Sequence, residues 1–333
     1  MEIKNSRITL IGTGRFAHSF AYSLIKNGFN ISGVYSRTSS AAQEFSTKFK
    51  IKDHGIFDGK IPEYSDVIFL MVSDHSIEPL ARLIESKNKN LKGRIFIHFS
   101  GALSSTVLHS LEKKKALTGS FHIMQTFPSL KKVDISNCYA AIESGNESLL
   151  FSLFNFARRL KLKPFRISQE HKTLYHLTGV LSANFLLSHF YNALKLYGQI
   201  NIEAVSFFDL FGNITDKTIS NIKLAGLKNS VSGPVIRGDL NIIKDHVNLL
   251  KKRKEWLILA NYLTESLAII ELLSDKQSPE RDLRSLSNYL KKELKGIVGR
   301  IYPMACGASV EAARSRAQPA IPVRPRRSIT VPQ

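Results

Sequence analysis

Lys172 and His176 stand four residues apart in a segment of helical period. That spacing puts them about 40° apart around a helix, on one face. An amine and an imidazole side by side are two proton carriers, which is what general acid–base chemistry requires. His122, in the stretch Gly119-Ser120-Phe121-His122, is a third carrier. A different chemistry is signalled by the run Gly12-Thr13-Gly14-Arg15-Phe16-Ala17. Gly12 permits a tight turn, Gly14 lets the backbone approach a pyrophosphate, and Ala17 is small enough for a helix to pack on a strand. Free N–H groups at the start of the following helix would attract the phosphates. No acid stands between Gly33 and Glu44 to take a ribose 2′-hydroxyl. Arg37, flanked by Ser36, Thr38 and Ser39, can instead pair with a 2′-phosphate. The expected cofactor is therefore NADP(H) rather than NAD(H).

The elements that must carry these residues follow from periodicity. The glycine run closes a short apolar strand at 7–12 and opens a helix at 14–27, the context that the motif needs. A second strand is expected at 30–37, with a helix at 39–49 capped by Thr38 or Ser39. Segments 66–73 and 94–100 are nearly continuously apolar, as strands covered on both faces are. Helices at 77–86 and 104–114 follow them. Strands at 116–127, 139–143 and 164–167 enclose a helix at 147–160 capped by Asn146. This alternation predicts an α/β fold, a doubly wound parallel Rossmann sheet with right-handed crossovers. Beyond Ser168 only helical periods remain, at 169–197, 203–225, 240–251, 255–273 and 279–294. Asp239 is the expected N-cap of the third, and Pro279 suits a first helical turn. The expected domains are 1–167 for the dinucleotide, 168–299 as an all-α substrate and dimerisation domain, and 300–333 as a disordered basic tail rich in Pro and Arg.

Of the formal charge of +20, residues 300–333 contribute +5 and the remainder +15. The basic residues are scattered, and Lys113-Lys114-Lys115 and the run 251–254 fall on expected helix ends, where they complement the dipole. Specific nucleic-acid binding is not expected. No apolar run reaches the ~20 residues of a membrane span, so no membrane is expected either. The N-terminus lacks an apolar stretch ending in a cleavage site, which argues against secretion. Cys138 and Cys306 fit no CxxC pattern and suit a reducing compartment, so the cytoplasm is the expected location. HExxH and compact carboxylate–histidine clusters are absent, so no metal is expected. A GxSxG elbow is also missing, which disfavours a hydrolase.

Five stretches together resemble a family. They are the glycine run; His98-Phe99-Ser100-Gly101-Ala102-Leu103-Ser104; residues 119–128 from Gly119 to Pro128; Lys172-Thr173-Leu174-Tyr175-His176 with Ser182-Ala183-Asn184; and Gly233-Pro234-Val235-Ile236-Arg237-Gly238-Asp239. Over roughly residues 5–295 the chain resembles the Rossmann-like proteins paired with domain of unknown function 2520. These lie in the superfamily of 6-phosphogluconate dehydrogenase, ketopantoate reductase and pyrroline-5-carboxylate reductase. Ile123 stands where this family usually shows Pro. The resemblance implies an oxidoreductase with Lys172 as acid/base. His176 takes the place of an Asn in those dehydrogenases.

In such an architecture the nicotinamide lies at the carboxyl ends of the strands, beside Val72, Ser73, Asp74 and Ser100, with His122 and Gln125 on a neighbouring loop. Reduction also needs an acid beside the carbonyl or imine. Asn184, about 12 Å along the helix from His176, reaches only an extended ligand. Arg237 could clamp a substrate carboxylate. The expectation is an NADP(H)-dependent oxidoreductase for a small carboxylated keto or imino substrate. The alternative is a non-catalytic NADP(H)-binding regulator, which a closed cleft or side chains pointing into packing would favour. Residue by residue, the non-functional readings are a solvated first-turn Lys172, a half-buried packing His176, and His98, His122 and His171 as structural polar groups. Helices rich in Leu, Ile and Phe, such as 203–211 and 256–273, carry more apolar surface than the helical half can cover, so a homodimer is expected.

Overall fold

The computed structural model describes residues 3–200, 202, 205–273 and 283–305, the last four of these as backbone only. Two compact units appear, Met1–Phe190 and Tyr191–Gln333. The expected boundary at Ser168 marks where strands cease. The division into units falls later, within a helical run.

The first unit is an eight-stranded sheet in the order β3-β2-β1-β4-β5-β6-β7-β8. The strands are β1 (Arg7–Ile11), β2 (Asn30–Ser36), β3 (Asp53–Ile56), β4 (Val67–Leu70), β5 (Ile95–His98), β6 (Leu117–Ile123), β7 (Tyr139–Glu143) and β8 (Lys163–Arg166). Every side chain of β4 and β5 is buried, which explains why these segments are apolar without alternation. Helices α1 (Arg15–Lys26), α2 (Ser39–Phe49), α3 (Asp74–Lys87), α4 (His109–Glu112) and α5 (Glu147–Arg159) join the strands. Thr38 caps α2 by accepting from the Ala41 N–H at 3.4 Å, and Asn146 caps α5 by accepting from Leu149 at 2.8 Å. One core cluster is aromatic, with Phe20 in ring contact with Phe69, Phe121 and Phe156.

Four features of this unit depart from the sequence expectation. β7 runs antiparallel to β6, so the sheet is not wholly parallel. The connection between them, from Met124 to Cys138, holds no helix, and without a crossover helix the strand returns in the opposite direction. β3 was not expected, because Asp-His-Gly-Ile has no apolar alternation. Segment 104–114 is a 3₁₀ turn (Ser105–Leu108) followed by the single turn of α4, rather than one helix. The expected strand at 116–127 ends at Ile123.

Segment 169–197 is helical but not uniform. A 3₁₀ turn (Gln169–His171) leads into α6 (Lys172–Gly179), a π turn (Val180–Asn184) and α7 (Phe185–Tyr197). Farther along lie α8 (Phe207–Asn229), α9 (Pro234–Arg237), α10 (Leu240–Lys252), α11 (Trp256–Leu273) and α12 (Arg284–Ala305). Gly226 breaks the helical geometry of α8 at φ +78°. The second unit's core is built by α10, α11 and α12 through Ile243, Val247, Leu259, Leu263 and Leu290. By length and composition α11 could cross a membrane, at mean hydropathy 1.4, but its Ile258, Leu259, Leu263 and Ile270 are buried in this core.

Asp239 occupies the N-cap position of α10 without a capping hydrogen bond. Its carboxylate accepts from Arg237 Nε at 2.7 Å instead. α12 continues through Ala305, past the expected start of the tail. Glu203, Pro279, Cys306 and the tail beyond residue 305 lie outside the described residues.

Candidate functional site

The glycine-rich turn leaves β1 and enters α1 at Arg15, with Gly14 at the cap position. Gly12 has φ +111°, and a Cβ there would lie 2.2 Å from the Met71 carbonyl oxygen. Only glycine fits against that backbone. Around Gly14 the space is open, with nothing within 4 Å of a built Cβ. Thr13 Oγ1 and Ser36 Oγ lie 3.1 Å apart, tying the turn to the end of β2. Arg37 and Thr38, just past that end, are exposed, as are Gly14 and Arg15. Phe16 packs on Phe20, Phe99 and Phe127, and Ala17 is wholly buried. An open glycine cradle beside a helix start, with a free guanidinium across from it, fits a phosphorylated dinucleotide.

Across the carboxyl ends of β4, β5 and β6 lie the other site candidates. Val72 is half-buried, and Ser73 and Asp74 open α3 as exposed residues. The loop after β5, Ser100 to Ser105, is tied down at both ends. His98 is fully buried, and its Nδ1 accepts from the Ser100 N–H at 3.2 Å. The proton is thereby assigned to Nε2, which donates to the Ser104 carbonyl at 3.1 Å. Ser100 Oγ accepts from the N–H groups of Ala102 and Leu103 at 3.2 and 3.0 Å. Glu143, 3% exposed, accepts from Ser105 N–H and from Ser105 Oγ, both at 2.7 Å, and from Gln169 Nε2 at 3.1 Å.

Lys172 opens α6 and is only 1% exposed. Its ammonium donates to the Ser100 carbonyl at 2.9 Å and to Ser120 Oγ at 2.6 Å. Ser120 lies directly opposite Glu143 in the β6–β7 register, so both side chains share one face of the sheet with the lysine. Burial pulls the Lys172 amine down to about 8, against the opposing pull of the Glu143 and Asp74 carboxylates. Its charge in turn adds to burial in holding His98 down at about 3.

His122 and His176 close over Gly101. A Cβ on Gly101 would meet His176 Cδ2 at 2.8 Å and His122 Nε2 at 2.9 Å. The two rings lie 6.5 Å apart. Nδ1 of His122 is 2.9 Å from the Tyr175 hydroxyl, with the rings edge to face at 5.4 Å. Burial, then the charges of Lys172 and His176, push His122 down to about 4. Burial raises the Tyr175 phenol to about 12. At neutral pH this is a neutral imidazole against a neutral phenol.

The remaining candidates have contacts of their own. Gln125 is exposed, with Nε2 3.6 Å from Cys138 Sγ and Oε1 accepting from the Thr126 N–H at 2.8 Å. Asn184 is exposed in the π turn. Arg237 lies in the second unit, and its guanidinium is engaged by Asp239. Tyr175, Ser120 and Glu143 were not singled out from the sequence as site residues. Glu143 and His98 did carry a signal, each being an ionisable residue that ends an otherwise apolar strand run. Among the described residues no group of three or more metal-ligating side chains comes together.

Fold and glycine cradle define a Rossmann-type dinucleotide-binding architecture, and the comparisons agree. Residues 7–100 match the profile described as NADP oxidoreductase, coenzyme F420-dependent. Residues 138–268 match that of the domain of unknown function DUF2520. Over these two segments the chain is similar to an NADP-oxidoreductase-type Rossmann domain and to DUF2520, the second as the five sequence stretches implied. No curated protein matches. Among solved structures, a Bacteroides fragilis protein named as an NADP oxidoreductase is similar at 26% identity, covering 81% of this chain and 100% of its own, with a TM-score of 0.68. A Thermotoga maritima protein is similar at 23% identity, with the same coverage and a TM-score of 0.61. An imine reductase from Myxococcus stipitatus in complex with NADP+ shares the fold at 15% identity, covering 81% of this chain and 95% of its own, with a TM-score of 0.57.

Proposed function

We propose that this protein is an NADP(H)-dependent oxidoreductase acting in the cytoplasm on a small carboxylated keto or imino compound. The observation that carries the reading is the partly exposed group of His122 and His176 over Gly101, with Tyr175 hydrogen-bonded to His122. It stands at the carboxyl edge of the same sheet whose first turn is the glycine cradle, where ligands of open α/β sheets bind. The cradle from Gly12 to Ala17 would hold the pyrophosphate, and Ser36, Arg37 and Thr38 the 2′-phosphate. When bound, the reduced dinucleotide supplies hydride. The chain's own groups orient the substrate and move the proton. Lys172, the acid/base implied by family resemblance, is enclosed and engaged by two acceptors, so in this reading it supports the neighbouring groups from behind.

That enclosure is also what favours a second reading, a non-catalytic NADP(H)-binding regulator. The two are separated by mixing the protein with NADPH and a panel of keto acids and imines, then following loss of NADPH absorbance. Turnover of any member supports the enzyme. Tight NADPH binding without turnover supports the regulator.

The homodimer belongs to the same proposal. Of the 23 residues of α8, Phe207 alone is buried, while Phe208, Ile214 and Leu224 are 59%, 64% and 84% exposed. Such a helix is marginal in water by itself. A second copy is the proposed cover.

A further inference from the structure

Resting on the oxidoreductase reading, we propose that Tyr175 and His122 form the proton-transfer pair of the reaction, and that Lys172 is a positioning residue acting through them. Three observations converge. The Tyr175 hydroxyl and His122 Nδ1 are 2.9 Å apart, so a proton can pass between them along a formed hydrogen bond. Both side chains are partly exposed, whereas Lys172 is 1% exposed. Nε2 of His122 lies over Gly101, beside the end of β5, where a reacting group of a bound substrate would sit.

The surroundings keep the pair neutral. His122 faces Lys172 and His176 from α6 and His98 from β5, and the positive charge of Lys172 disfavours a second one on the imidazole. The phenol is held protonated by its burial, with Phe165 packed 5.9 Å from it. A neutral pair can relay a proton without creating a buried ion. With hydrogen on Nε2, His122 gives that proton to the carbonyl oxygen or imine nitrogen as the adjacent carbon gains hydride from the dinucleotide. The Tyr175 hydroxyl gives its proton to Nδ1 and is refilled by one proton from solvent. The C=O or C=N bond is reduced, the dinucleotide is oxidised, and one solvent proton is consumed. The reverse sequence serves oxidation.

Lys172 stands one helical turn before both Tyr175 and His176 and binds the loop beneath the imidazoles through the Ser100 carbonyl. It therefore sets both the placement of the pair and the charge behind it.

The test uses the full chain with NADPH. Tyr175→Phe removes one oxygen. With a substrate from the keto-acid and imine panel, it should lower kcat about 100-fold, the low end for a lost acid–base group, with NADPH affinity unchanged. His122→Asn should cost a similar factor. The double variant should fall no further than the worse single one, because the two act as a unit. By ¹⁵N NMR, His122 should remain neutral between pH 6 and 8 and should change its nitrogen shifts in Tyr175→Phe. Lys172→Met should move the acidic limb of kcat/KM to higher pH, which a merely structural lysine would not do. Should His122→Asn fail to fold, Tyr175→Phe and the NMR titration decide.

An active wild type matched by Tyr175→Phe overturns the pair alone. So does a His122 that titrates near its ordinary value whether or not Tyr175 is present. A wild type that binds NADPH and turns over nothing in the panel overturns the oxidoreductase reading, and the pair with it.

Discussion

The ammonium of Lys172 lies 2.6 Å from Ser120 Oγ, and Ser120 in turn faces Glu143 across the one antiparallel ladder of the sheet. A buried cation is thus held by a neutral hydroxyl, with its nearest buried carboxylate committed to Ser105 and Gln169. Lys172→Met keeps the stem and removes charge and donors. Replacing a buried charge by an apolar group of similar volume is often neutral for stability. The expected outcome is a melting temperature within a few degrees of wild type and a kcat lower by about 10- to 100-fold. Thermal melts and steady-state kinetics on the same preparation check it. A collapse in stability with unchanged kinetics would make the helix opening purely structural.

Gly101→Ala places a methyl group 2.8–2.9 Å from two imidazoles, closer than non-bonded atoms tolerate. The rings must shift or the loop must lift. The expected cost is about 1–3 kcal/mol of overpacking together with a larger loss of turnover, since the displaced groups are the proton carriers. NADPH titration should show little change at the pyrophosphate end, because Gly12 and Gly14 lie at a different turn. Unaltered kcat in this variant would show that the imidazoles do not sit beside the chemistry.

Arg37 should set cofactor choice. Exposed at the end of β2, it follows Ser36, whose hydroxyl is tied to Thr13 of the glycine turn. A charge-assisted hydrogen bond to a 2′-phosphate contributes about 1.5–3 kcal/mol, or roughly 10- to 100-fold in affinity. Wild type should bind NADPH more tightly than NADH by about that factor, and Arg37→Asp should reverse or abolish the preference. Equal affinities in wild type, unaffected by the substitution, would remove Arg37 from the site.

Acid should destabilise the fold through two histidines. His98 and His122 are held at about 3 and about 4, chiefly by burial, against 6.5 for a free imidazole. With folded values depressed, the unfolded chain binds more protons below pH 6.5, so stability is complete above that pH and falls as pH drops toward 4. By pH 5 each contributes a loss of about 2 kcal/mol. Denaturant midpoints measured from pH 7 to pH 5 should fall, and His98→Asn should flatten the slope. The Lys172 amine has the same sign in a higher window: held near 8 by burial, it releases its proton in the folded state first, so stability rises between pH 8 and 10.5.

A second copy should cover the exposed apolar helices. Leu187 and Tyr191 of α7 are 70% and 66% exposed, and α8 adds Ile214 and Leu224. Sedimentation at micromolar concentration should give a dimer, and Leu224→Glu should weaken it. A wild-type monomer under those conditions would refute the proposal.

Local pattern alone was enough for the glycine turn, the strands β1, β4 and β5, and the capped helices α2 and α5. Each of these is decided by residues adjacent in the chain: a glycine that must adopt positive φ, an apolar run buried on both faces, a side chain that satisfies its own helix start. The resemblance to DUF2520 proteins was legible for the same reason. Lys172 and His176 could be placed on one helix face, but not inside or outside the protein. That choice was made by contacts 72 and 52 residues distant, to Ser100 and Ser120. Tyr175 met His122 across 53 residues, and Glu143 reached Ser105 across 38. The reversal of β7 decided which residue faces Ser120, and the π turn at Val180–Asn184 altered the rotation that a regular helix would have given Asn184. Periodicity encodes which face of an element is apolar. It does not encode which polar groups a closed fold brings together, because that depends on strand direction and register set by the packing of the whole unit.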